Sequence, residues 1–120
     1  MFDFDFQMIN NENFIFVIKY FYKILIMITK KEAQQVIAML KENFDSHDFI
    51  LAYACGFTLS YLEMLWENKG DVRTADGKIG KFLSKFQNDL DIVNPTPKEI
   101  KSINIKGYVS DCTKWCKLKK

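Results

Sequence analysis

The sequence has none of the short motifs that mark common enzyme classes: it contains no P-loop, no GxGxxG, no HExxH and no GxSxG. Histidine occurs once, as His47. On a helix, the eight-residue separation of His47 and Cys55 spans about 12 Å, which is too far for a Cys–His nucleophile pair. Pairing of His47 with Cys112 or Cys116 across the fold stays open. We therefore predict a protein that is not an enzyme and that has no cofactor.

Cysteine is also scarce. The three cysteines are odd in number and form no CxxC motif. Cys112 and Cys116 are four residues apart, and a disulfide at that spacing on one helix would be strained. One histidine and three cysteines match the ligand count of a Cys3His zinc site, but their spacing fits no structural zinc pattern. The prediction is therefore three reduced thiols, no metal site and a cytoplasmic location.

Arginine occurs once, at Arg73, against sixteen lysines. Lysine is a point charge, whereas the arginine guanidinium makes the bidentate contacts that read guanine. Base-specific recognition through arginine is therefore nearly excluded. The net charge is only +2, but residues 98–120 carry seven lysines against Glu99 and Asp111, a local charge of +5. An AT-rich coding sequence would also favour lysine over arginine, so codon bias is an alternative cause.

No hydrophobic run is long enough to span a bilayer as a helix, which takes about 20 apolar residues. The most hydrophobic stretch covers residues 14–28, and Lys19 and Lys23 interrupt it. The acidic residues before it argue against a secretory signal. We interpret residues 1–28 as an N-terminal apolar extension. It is a mis-assigned start, a segment that docks on the core or a membrane anchor, and only an anchor would make a membrane a partner.

Residues 29–120 carry the patterns of a single helical domain. Thr29 stands three residues before Glu32, which is the spacing of a capping box. The apolar repeat behind this pair predicts a first helix over residues 30–43. With the segments that follow, the pattern predicts a mainly α fold, a small bundle of four to five helices.

The second predicted helix covers residues 47–68, with Ser46 as its N-cap. It is apolar on nearly every side, which is typical of a helix at the centre of a bundle or against a partner. Gly56 marks either a close backbone approach or a kink. A third helix is predicted over residues 75–90, after Asp71 or Thr74.

The C-terminal region allows two interpretations. Thr96-Pro97-Lys98-Glu99 combines two helix-start signals, and a short helix, a turn at residues 104–107 and a last helix from Ser110 would follow. This order resembles the helix-turn-helix arrangement of DNA-binding proteins. The alternative is a β-hairpin, because residues 100–105 alternate in polarity and Lys106-Gly107 lies between two short runs. After the third helix, such a hairpin would give a winged helix.

Lysines form the predicted contact surface. In the third helix, Lys78, Lys81 and Lys85 are three and four residues apart and form a basic stripe, for which a solvated edge is the alternative. The C-terminal region adds three more nucleic-acid-binding candidates: Lys101, Lys106 and Lys114. We therefore predict a small non-enzymatic nucleic-acid-binding or regulatory protein, with electrostatic and salt-sensitive binding. The alternative is a protein–protein interaction or inhibitor module from a phage or other mobile element, without nucleic-acid contact.

Overall fold

The computed structural model of the chain describes residues 28–96 and 98–118. In chain order its elements are α1 (Lys30–Met39), β1 (Asn43–Asp45), α2 (Ser46–Gly56), α3 (Thr58–Glu67), α4 (Val72–Lys85), β2 (Ile92–Val93), β3 (Ile100–Ile103), β4 (Val109–Cys112) and β5 (Lys114–Lys117). The fold is therefore α+β, and the prediction of a mainly α bundle is wrong. Strands occupy the C-terminal third, where helices were expected.

Two antiparallel sheets account for the difference. The first has the strand order β1-β5-β2, and the second is the hairpin β3-β4. In the first sheet Phe44 of β1 pairs with Trp115 of β5, and both side chains are buried. Such cross-strand aromatic pairs stabilise a sheet. Because these strands are about 70 residues apart in the chain, helical periodicity around Trp115 was a misleading local signal.

The hairpin alternative for residues 100–112 is confirmed, and the helix-turn-helix interpretation is wrong. In the register of β3 and β4, Ser102 lies opposite Ser110. The turn forms because Asn104 Oδ1 accepts the backbone N–H groups of Lys106 and Tyr108. Gly107 has a φ of +88°, which glycine adopts without steric cost. This turn chemistry favours a hairpin over a continued helix.

The N-terminal capping box is confirmed. Thr29 Oγ1 accepts from Glu32 N at 3.1 Å, and Glu32 Oε1 accepts from Thr29 N at 3.0 Å. Helix α1 ends at Met39 rather than at Asn43, because residues 43–45 form β1. The predicted extension over residues 1–28 lies outside the described residues except for Ile28. That side chain is buried in the core, so the packed region begins at least one residue before the capping box.

The predicted second helix is two helices. A bend of 110° separates α2 from α3, and the break falls at Phe57, directly after Gly56. The structure therefore shows the kink at this position. The N-cap of α2 is Asp45 rather than Ser46; the Ser46 hydroxyl instead accepts the indole N–H of Trp115 at 3.0 Å.

Helix α4 begins after its N-cap Asp71, as one of the two predicted caps allows, and ends at Lys85 rather than at residue 90. Its side chains Ala75, Ile79 and Leu83 are fully buried. Ile79 and Leu83 pack into one core with residues from the other helices and the first sheet: Val36, Phe44, Phe49, Tyr53, Met64, Leu90, Ile92 and Trp115.

Within the described residues, no single helix combines the length and the apolar character needed to cross a membrane. Helices α2 and α3 satisfy both conditions together, across their bend.

Candidate nucleic-acid interface

A groove of about 1340 Å³ lies between α4 and the β3-β4 hairpin. Helix α4 contributes one wall because its apolar residues Ala75, Ile79 and Leu83 face the core. At 3.6 residues per turn, the positions beside them turn toward the hairpin. The hairpin and its turn supply the other wall, so two segments that are distant in sequence enclose one concave surface.

Four of the six predicted lysines line this groove. Lys81 and Lys85 lie on the helical wall, and Lys101 and Lys106 lie on the hairpin wall. The four ammonium groups therefore stand on two opposing walls of one concave surface. Two lysines of the predicted stripe therefore form half of a basic surface whose other half comes from the hairpin.

The other two predicted lysines lie outside the groove. Lys78 is exposed on α4 but is not among the residues that line it. Lys114 is half-buried on β5, where its backbone pairs with that of Asp45. The structure therefore divides the six candidates into a convergent set of four and two that serve as natural controls.

Sequence reasoning missed two groove residues. Arg73, near the start of α4, adds a fifth cation, and Tyr108 follows the hairpin turn. The Tyr108 side chain is 68% exposed, which is unusual for an aromatic ring of this size. The helical interpretation of residues 98–118 concealed this exposure, because turn chemistry at Asn104–Gly107 was the only signal that placed Tyr108 at a hairpin tip.

Carboxylates in the groove partly neutralise its positive charge. Three of them, Asp76, Glu99 and Asp111, line it with the five cations. Asp111 lies opposite Lys101 in the strand register, so that pair partly cancels. Burial raises the pKa of Asp76, while the Tyr61 hydroxyl, His47 and Lys106 oppose that rise. The Tyr61 hydroxyl donates to Asp76 Oδ1 at 2.9 Å. The groove therefore keeps a modest positive excess.

One more contact affects the helical wall. Lys85 Nζ lies 5.3 Å from the ring centroid of Phe86, within the range of a cation–π interaction. Lys30 approaches the same ring to 4.7 Å and forms an ion pair with Asp89 at 2.8 Å. The Lys85 side chain thus lies beside Phe86 near the end of α4, and Lys81 is exposed about one turn before it.

The histidine lines the groove and joins helix α2 to its hairpin wall. His47 Nδ1 is 2.6 Å from Ser102 Oγ, and His47 Nε2 is 3.2 Å from Ser110 Oγ. The Ser102 hydroxyl also contacts Cys112 Sγ at 3.3 Å. His47 and Cys112, whose pairing the sequence left open, are therefore neighbours connected through one hydroxyl.

The three thiols are unpaired and lie apart. Cys55 is exposed on α2, Cys116 is on β5 between Asn43 and Val93, and Cys112 is buried. A Cys3His arrangement is therefore not assembled. Burial raises the pKa of the Cys112 thiol, and the nearby Asp45 carboxylate adds to that rise. A protonated, buried thiol is a weak nucleophile.

Comparison of the chain with family models, with curated proteins and with solved structures finds no match to any of them. The function of the groove therefore has to be inferred from its own geometry and charge.

Proposed function

We propose that the protein binds nucleic acid in the groove between α4 and the hairpin. The observation that carries this proposal is the convergence of Lys81 and Lys85 with Lys101 and Lys106 in one concave surface. Lysine ammonium groups neutralise phosphates and release the condensed counterions, which gives affinity that falls with salt. A groove of this kind follows the phosphate backbone and does not read bases.

The composition of the groove favours binding without sequence preference. Arg73 is its only arginine, and the rigid bidentate fork that suits guanine readout belongs to arginine, whereas lysine acts as a point charge. Tyr108 offers an exposed ring on which an unpaired base can stack, and such stacking contributes about 1–3 kcal/mol per base. We therefore expect single strands to bind at least as well as duplexes.

The first experiment compares two double variants of the full chain. Lys81→Gln/Lys85→Gln removes both cations of the helical wall, and Lys78→Gln/Lys114→Gln removes the same charge outside the groove. If each lysine of the helical wall contacts one phosphate, losing two contacts flattens the plot of log affinity against log salt by about 1.4 for single strands and about 1.8 for duplexes. If affinities converge at 1 M salt, the corresponding loss at 0.1 M salt is roughly 25-fold to 60-fold.

The measurement is fluorescence anisotropy with labelled single-stranded and duplex DNA and RNA across a salt series. Equal slopes for the two double variants would refute the groove as the contact surface. A wild-type protein that binds none of the four probes at low salt would refute nucleic-acid binding altogether. Tyr108→Ala should weaken single strands more than duplexes.

A second candidate function, binding of another protein, is favoured by an apolar stripe on α3. Leu59, Leu62 and Trp66 recur at helical spacing and are exposed by 70%, 53% and 77%. Large exposed apolar side chains in a contiguous patch mark interaction sites. If the nucleic-acid experiment fails, this stripe becomes the leading surface, as an interaction or inhibitor module would require. Trp66→Ala is then the variant to compare in partner capture.

We also place this activity in the cytoplasm. The support is the state of the cysteines, which are all unpaired, since free thiols persist in reducing compartments.

A further inference from the structure

Three side chains of different chemistry converge where the hairpin meets the start of α2. Asp45 is the N-cap of α2, His47 is in its first turn, and Cys112 ends β4. One carboxylate oxygen, one imidazole nitrogen and the thiol sulfur all lie within 4.8 Å of one another. None of the three was predicted as a ligand, because 65 residues separate Cys112 from His47 in the chain.

This donor set suits a zinc ion. Zinc takes thiolate at about 2.3 Å, imidazole at about 2.0 Å and carboxylate at about 2.0–2.2 Å, in tetrahedral geometry. Ligand atoms around such an ion are about 3.3–3.6 Å apart. The observed spread of up to 4.8 Å closes with side-chain movements of about 1 Å, and the Ser102 hydroxyl, which lies 2.6 Å from His47 Nδ1, has to rotate away from that nitrogen to admit the ion.

Charge balance favours the ion as well. Asp45 is 9% exposed and Cys112 is 6% exposed, so a carboxylate and a thiolate at this place are poorly solvated. Together they carry two negative charges, which one Zn²⁺ cancels. A neutral complex avoids the desolvation cost of an isolated buried charge. On binding, the Cys112 S–H bond breaks, sulfur keeps the electron pair for the metal, and the proton goes to solvent.

The surrounding hydroxyls fit the outer shell that histidine and cysteine ligands need. If the metal takes His47 Nδ1, the other ring nitrogen can donate its N–H to Ser110 Oγ, which is 3.2 Å away. Ser110 is itself held by an N–H of the Asn104 side chain at 3.1 Å. The Ser102 hydroxyl, at 3.3 Å from Cys112 Sγ, can donate to the thiolate. Such partners orient ligands and raise their basicity.

Asp45 can coordinate without giving up its role in the fold. Its Oδ1 accepts the capping bond from Asp48 N at 2.8 Å, and Oδ2 is the oxygen that the metal would take. His47 and Cys112 also line the groove, so the fourth position of the ion is open to water. Three protein ligands and one water are a common zinc arrangement.

We propose that Asp45, His47 and Cys112 bind one Zn²⁺ ion, which fastens the β3-β4 hairpin to the start of α2. The ion would replace the contact between His47 Nδ1 and Ser102 as a link from α2 to the hairpin, and the contact between His47 Nε2 and Ser110 would stay beside it. The proposal does not rest on nucleic-acid binding, because its evidence is the arrangement of these three side chains alone.

Cobalt substitution tests the site directly. The purified full-length chain is stripped of metal and titrated with Co²⁺, and thiolate-to-cobalt charge transfer is followed in the near ultraviolet. We expect one equivalent to bind with a thiolate band and tetrahedral visible absorption, and one equivalent of Zn²⁺ to displace it. Cys112→Ser should abolish the band, whereas the matched thiol variants Cys55→Ser and Cys116→Ser should keep it.

Two further variants cover the case in which Cys112→Ser does not fold. Asp45→Asn keeps a capping oxygen, and its helical circular dichroism should match the wild type. Its Zn²⁺ affinity, measured by competition with a chromogenic chelator, should fall more than the roughly 10-fold to 100-fold loss typical of outer-shell changes. Ser110→Ala should fall within that outer-shell range. A folded wild type without a thiolate band, a band that depends on Cys55 or Cys116, or an unchanged affinity in Asp45→Asn would each overturn the proposal.

Discussion

Two buried tyrosines give opposite predictions for the same substitution. Tyr53 is fully buried, and its hydroxyl has no hydrogen-bond partner among the described residues. Ser60 is close enough to lower the Tyr53 pKa, but burial and the Glu32 charge outweigh it and raise that pKa to about 12. The Ser60 hydroxyl instead donates to Glu32 at 3.4 Å. By contrast, the buried Tyr61 hydroxyl donates to the Asp76 carboxylate.

The magnitudes follow from these contacts. Tyr61→Phe removes a hydrogen bond to a charged acceptor, which contributes about 1.5–3 kcal/mol. Tyr53→Phe removes a hydroxyl whose uncompensated burial costs about 1–3 kcal/mol by mutational measures. Part of that gain is lost to the small void that the oxygen leaves. We therefore expect Tyr61→Phe to be destabilised and Tyr53→Phe to be unchanged or more stable.

Urea unfolding followed by circular dichroism measures both changes, with Tyr108→Phe as the exposed control, expected within about 0.5 kcal/mol of the wild type. In a thermal scan, 1 kcal/mol corresponds to a shift of about 4–8 °C for a domain of this size. A loss above about 1 kcal/mol in Tyr53→Phe would refute the reasoning. It would mean that the hydroxyl is satisfied, with Ser60 as the nearest donor or acceptor.

Three further predictions concern packing, charge and backbone. Trp115 is 1% exposed and Trp66 is 77% exposed, so in urea unfolding Trp115→Ala should cost about 3–5 kcal/mol and Trp66→Ala less than about 0.5 kcal/mol. The raised pKa of Asp76 means that its contribution to stability is present below its unfolded pKa of about 3.9 and is lost as pH rises through the folded pKa. Asp76→Asn should lack this fall in the free energy of unfolding when unfolding curves are measured at pH values from below about 3.9 upward. Gly107→Ala should cost roughly 1–2 kcal/mol at its positive φ, whereas Gly77→Ala, with open space around it inside α4, should stabilise by about 0.5–1 kcal/mol in thermal unfolding.

Local signals predicted the local structure well. The Thr29–Glu32 capping box and the buried face of α1 depend on residues three and four apart, and both are confirmed. The same holds for Ile79 and Leu83 in α4. Phe82 and Phe86 continue the same helical spacing, which favours burial, but they are only half-buried against the core. The helix ends at Lys85, so Phe86 lies beyond its last turn and no longer follows the helical face.

The same local signals did not predict the pairing of strands that are distant in the chain. Strand β1 is only three residues long, and its partner β5 lies near the other end of the chain. No local sequence pattern predicts a strand this short whose partner is this distant in the chain. In a helix Trp115 and Cys116 would lie on one face. Pairing with β1 and β2 instead makes this segment the central strand of a sheet. The candidate site was half predictable for the same reason: the lysine stripe is local, whereas its approach to the hairpin is not.

The position of the hairpin decides whether the basic groove exists as one surface. Ile105 packs against the core from the turn, while Ile103 and Val109 are each 66% exposed. The strands themselves are joined to α2 by polar contacts through His47. Because elements held by partly exposed polar contacts open at lower free energy than core elements, we expect the hairpin wall of the groove to open more readily than α4. A metal ion on Cys112 would oppose that opening. Zinc should therefore slow amide exchange in β3 and β4 and leave exchange in α4 unchanged.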